Sequence, residues 1–170
     1  MANIQDYLIW RGDVPLSAVP LNEVDGLVLS ELVYADFSGL VPQDGSRVPF
    51  RQVYDGFWRR HTKEKILATP SFTKMAPFLM DPMVNAARFG DMELSLYRDV
   101  VDTQADCQWA AVTFHLSDGT DFVAYRGTDT TIVGWKEDFN LSYQAETEGQ
   151  RLAADYLNRH FSTPGAPPRC

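Results

Sequence analysis

From Asn22 onward apolar residues return every three or four positions, at Val24, Leu27, Val28, Leu32 and Ala35. This spacing of one helix face predicts a helix that Asn22 caps, that Glu23 and Asp25 favour in its first turn, and that Gly39 closes. A shorter helix is predicted from Ile4 to Trp10, with Ile4, Tyr7, Leu8 and Arg11 at helical spacing and Gly12 ending it. Phe50, Val53, Tyr54, Phe57 and Trp58 form a third, aromatic-rich face that runs into Arg59-Arg60-His61, and basic groups suit that end. The Gln-Asp-Gly-Ser cluster between Pro42 and Pro49 reads as a loop. Pro77 and Pro82 then punctuate a Met-rich stretch read as two short helices with a break. Met75, Met80 and Met83 are read by default as core residues filling irregular gaps, with an apolar cleft as the alternative.

Beyond Gly90 the period changes. Leu94, Leu96 and Tyr97 open a strand-like run, and Trp109 to Leu116 alternates as a half-buried strand. Asp118-Gly119 turns the chain back into Phe122 to Tyr125, an uncharged run long enough for a buried strand and too short for a helix. Gly127 stops that strand and permits a sharp turn, while Thr128, Asp129 and Thr130 carry the side-chain oxygens that start helices. The junction therefore offers unpartnered amides and the positive end of a helix dipole to developing negative charge. A last helix is expected within Glu146 to Phe161, where Leu152, Ala153, Tyr156 and Leu157 recur at helical spacing.

The formal charge of −8 argues against nucleic acid as a partner, because phosphate binding needs clustered Lys and Arg. Two cysteines, Cys107 and Cys170, make no disulfide framework and fit a reducing cytoplasm. No signal peptide and no membrane span are expected. No serine has glycine two positions before and after it, so no nucleophile elbow is expected. His61, His115 and His160 read as capping or surface residues, and no catalytic triad is expected from them. A Cys107–His115 pair fails on reach, since eight strand residues span roughly 26 Å.

Arg126-Gly127-Thr128 closing a hydrophobic strand, followed by Trp135 and Asp138, resembles the Arg-Gly-Ser/Thr motif of the lipase class that includes the filamentous-fungal enzymes. A wider likeness runs through Asn3-Ile4-Gln5-Asp6-Tyr7-Leu8, Leu21-Asn22-Glu23-Val24-Asp25 and Gly134-Trp135-Lys136-Glu137-Asp138-Phe139. It is similar to a bacterial lipase-like family of unknown function within the α/β-hydrolases, and it covers nearly the whole chain. The resemblance implies an α/β fold in which residues 1–170 are the N-terminal part of one lipase-like domain. That part would hold a helical N-terminal region, an antiparallel hairpin and the strand leading to the oxyanion loop. In that family the nucleophile follows in a Gly-His-Ser-Lys-Gly-Gly segment, which this sequence does not contain, so the elbow and later strands are expected to be lacking.

The activity implied is serine-dependent hydrolysis of a small-molecule or lipid ester, without metal or cofactor. The resemblance carries Thr128 onto the position whose backbone amide and hydroxyl stabilise the tetrahedral intermediate. It places Trp135 in the helix that forms the lid in the fungal relatives. Asp129 orients Thr128 or caps the helix; by their own chemistry Thr128 is equally a helix-start residue and Trp135 a core anchor. The chain alone is expected to be a truncated, inactive fragment; the alternative is a non-catalytic binding or interaction domain on a hydrolase-derived scaffold. Its Phe122 to Tyr125 strand would lack a parallel neighbour, and self-association through that edge is expected.

Overall fold

The computed structural model describes residues 3–102, 107–127 and 146–161. Helix α1 spans Ile4–Arg11 and α2 spans Glu23–Leu32, each begun by an asparagine, Asn3 or Asn22. Both starts are capping boxes: the asparagine accepts from amides of the first turn, and Asp6 or Asp25 accepts from the asparagine's own N–H. Strand β1 is Val48–Pro49, followed by α3 at Phe50–Arg60 and α4 at Lys63–Ala68. A 3-10 turn at Ala76–Leu79 passes straight into α5 at Met80–Met83. Strands β2 (Glu93–Asp102), β3 (Cys107–His115) and β4 (Asp121–Arg126) come next, and α6 covers Glu148–Phe161.

The four strands form one antiparallel sheet in sequence order, β1-β2-β3-β4. Val48 pairs with Leu94 and Pro49 with Glu93. At the expected Asp118-Gly119 turn, the Leu116 amide donates to Thr120 O at 2.8 Å and the Gly119 amide to Leu116 O at 3.0 Å. Gly119 has φ +87°, a conformation that suits glycine. The molecule is thus a mixed helix and sheet protein, in keeping with an α/β class.

It divides into two compact units, Met1–Arg98 with Ala111–Arg126 and Asp99–Ala110 with Gly127–Cys170. In the first, Leu8, Val28, Leu32, Phe50, Phe57 and Met80 belong to a single buried core with Phe89, Leu94 and Phe114. Met80 and Met83 are fully buried, so the core reading of these methionines holds; Met75 instead lines an apolar groove of about 440 Å³ with Ile4, Leu27 and Leu79. In the second unit, Trp109 meets Tyr156 edge to face, ring centres 5.9 Å apart.

Three expectations need correction. β3 is buried at every position rather than half-buried, while in β4 only Ala124 is buried and its neighbours are partly exposed. On α2 the inward face is Asp25, Val28, Leu29 and Leu32, and Val24 and Leu27 are exposed. The turn of that face has a cause in Arg88, whose guanidinium is buried and donates to both carboxylate oxygens of Asp25, at 2.8 Å from Nε and through Nη2. Its remaining N–H groups reach the carbonyls of Val14, Val19 and Pro20 at 3.0–3.1 Å, so all five donors are used. Tyr7 Oη and the Asn22 amide complete the shell of Asp25 at 2.9 Å each. Burial pushes the Asp25 carboxyl up, but Arg88, the Asn22 amide and Tyr7 together outweigh it and hold the group below the ordinary carboxylate value.

Candidate functional site

The tight β3–β4 turn sets His115 and Asp121 side by side just outside its closing hydrogen bond, and cross-strand neighbours share a sheet face. His115 Nδ1 lies 2.6 Å from Asp121 Oδ1, and its Nε2 lies 2.8 Å from Ser95 Oγ on β2. A carboxylate only accepts, so the network puts a proton on Nδ1, while Nε2 shares a hydrogen bond with the Ser95 hydroxyl. The order Ser–His–Asp is that of a hydrolase triad. The reading of His115 as a surface or capping residue is therefore corrected: the ring is buried and bridges Ser95 and Asp121.

Exposure decides what this relay can do. It falls from 40% at the Asp121 side chain to 9% at His115 and 1% at Ser95, running from solvent into the sheet. An ester carbonyl cannot reach Ser95 Oγ without parting the strands. The next residue, Leu96, has φ +58°, a left-handed conformation that a branched side chain adopts only under strain, here held by burial and by the Tyr97 amide donating to Pro42 O. The relay is a polar pin through β2, β3 and β4.

β4 ends at Arg126, where the Arg-Gly-Thr step begins. Burial pushes the Asp36 carboxyl up, yet the hydroxyl and amide of Ser38, with His61 and Arg126 nearby, outweigh it and hold the group below the usual range. Asp36 thus stands within electrostatic reach of Arg126 at the strand end. Arg60 fixes this corner by donating to Ser38 O at 2.7 Å and Gly39 O at 3.1 Å. Among the described residues no atom lies within 4 Å of a Cβ built on Gly127. Thr128, Asp129 and Trp135, and the helix expected from Thr130, lie outside the described residues.

The Asp-Gly turn was the signal that could have paired His115 with Asp121 in the sequence. Ser95 gave none, because its place depends on the register of β2. No helix among the described residues is long and apolar enough to cross a membrane. No curated protein and no solved structure matches the chain. The model of the family described as Mbeg1-like, a lipase-like family, matches residues 83–164, a span that takes in β2 to β4, the Arg126–Gly127 step and α6.

Proposed function

We propose that the chain is the oxyanion-bearing part of a lipase-like serine hydrolase acting on carboxylic esters, with Thr128 as the donor to the intermediate's oxygen and Asp129 and Trp135 beside the substrate. The observation that carries this reading is the match to a lipase-like family across the Arg126–Gly127 step and the strand leading into it. A backbone amide at a strand end, followed by a helix start, is an arrangement that stabilises an oxyanion. Asp36, which feels the charge of Arg126, would line the same strand end.

By itself the chain is expected to leave esters intact, since among the described residues the serine that faces a histidine, Ser95, is 1% exposed. That burial also favours a second reading, a non-catalytic binding module that retains the scaffold. Incubation with short- and long-chain p-nitrophenyl esters, together with labelling by a fluorophosphonate, tests the first point. Background rates and no labelled serine are expected; covalent labelling of any serine would show a competent nucleophile and remove the inactive-fragment reading.

A further inference from the structure

Lys63 Nζ sits 5.1 Å from the centre of the Trp58 ring and 5.8 Å from that of Phe78, and donates to Asp81 Oδ2 at 2.6 Å. Two aromatic faces and a carboxylate thus converge on one ammonium. The walls are braced: Trp58 and Phe78 lie 5.5 Å apart at 59°, and Trp58 stands at 90° to Phe57, 5.2 Å away. Tyr54 Oη donates to the other oxygen of Asp81 at 3.1 Å, which fixes the acid. Nε1 of Trp58 is buried without a hydrogen-bond partner, so packing rather than its polar edge holds the indole with its face towards the cation.

The occupant is easily removed. The Lys63 side chain is 51% exposed, and α4, which it begins, contributes no buried residue. An exposed ion pair adds little to stability, so withdrawing the lysine empties the cage without opening the core. Trp58, Phe78 and Asp81 are each half-buried and open to solvent.

We propose that Trp58, Phe78 and Asp81 form a recognition site for a quaternary ammonium group of the choline type, which Lys63 occupies in its absence. A trimethylammonium spreads its charge over methyl groups and needs no hydrogen-bond acceptor. It is dehydrated more easily than a primary ammonium and gains more from aromatic faces, while Asp81 supplies the countercharge that Lys63 gives up. The inference is independent of ester hydrolysis and stands whether or not the chain is catalytic.

The test titrates choline chloride into the wild-type chain and Lys63→Ala, followed by calorimetry and by the indole N–H resonance of Trp58, assigned through Trp58→Phe. Lys63→Ala is expected to bind choline about tenfold more tightly than wild type and to move the Trp58 resonance. In the Lys63→Ala background, Asp81→Asn and Phe78→Leu should each weaken binding, with circular dichroism confirming the fold. Flotation with phosphatidylcholine and phosphatidylglycerol vesicles separates the sources of the group. Binding of free choline assigns a soluble ligand, and capture by phosphatidylcholine vesicles alone assigns a lipid headgroup. Failure of Lys63→Ala to bind either, binding no tighter than wild type, or binding indifferent to both Asp81→Asn and Phe78→Leu would overturn the proposal.

Discussion

Nε2 of His115 and Oγ of Ser95, twenty residues apart in sequence, lie 2.8 Å from each other between neighbouring strands. Ser95→Ala leaves that imidazole nitrogen buried without a partner, and a cost of about 1–2 kcal/mol is expected. Asp121→Asn should cost less, because its side chain is 40% exposed and the amide oxygen still accepts from Nδ1. Ser95→Ala combined with His115→Phe should destabilise by less than the sum of the single changes, since the two groups satisfy each other. Urea unfolding of the four variants measures this; simple additivity would mean that the relay is not a coupled unit.

Removing Arg88 should be far more damaging. Arg88→Met strands a buried carboxylate and takes donors from three carbonyls, and a loss of about 3–5 kcal/mol is expected.

Asp25 links the same pair to pH. Its folded value is depressed, so its contribution to stability is fully present above the ordinary carboxylate value of 3.8 and is lost as pH falls through the lower, folded value. Asp25→Asn should be less stable than wild type at neutral pH and should flatten the fall in stability below about pH 4. Urea midpoints measured from pH 6 to 2 decide it; parallel curves for the two proteins would assign the acid sensitivity to other carboxyls.

How much of this could be read in advance depends on the distance over which each residue acts. Asn22 with Asp25, and Asp118 with Gly119, act within three residues, and that cap and that turn were legible from residue type alone. Asp25 also acts across 63 residues on Arg88, and that second partner rotates α2 so that Val24 and Leu27, which share its apolar spacing, face outward. Periodicity records which positions are apolar; it carries no record of a charge drawn inside by a remote partner. Ser95 was hidden for a related reason, since a strand's register with its neighbour decides which side chains meet.

The oxyanion assignment has its own test. In a fusion that adds a strand and a Gly-His-Ser-Lys-Gly-Gly turn after Cys170, loss of a donor at Thr128 is expected to cost about 3 kcal/mol of transition-state stabilisation. Thr128→Val should therefore slow ester turnover well beyond its effect on stability. Thr130→Val should chiefly weaken the helix start, by about 1 kcal/mol. Turnover losses that merely follow stability in both variants would make Thr128 a capping residue.

β4 closes the described order of strands, and we expect the isolated chain to associate through that side of the sheet as its concentration rises. Sedimentation velocity over a concentration series tests this. A compact monomer throughout, with full hydrogen-exchange protection of Phe122 to Tyr125, would count against it.

The guanidinium of Arg88 lies inside the span matched by the lipase-like family, whereas Val14, Val19, Pro20 and Asp25, the groups that receive its five hydrogens, lie before that span begins at residue 83. The span of the family match and the span that the core needs are therefore different. A piece cut at residue 83 would keep the matched strands and lose every acceptor of a buried cation, so the first 82 residues act as an obligatory part of the core.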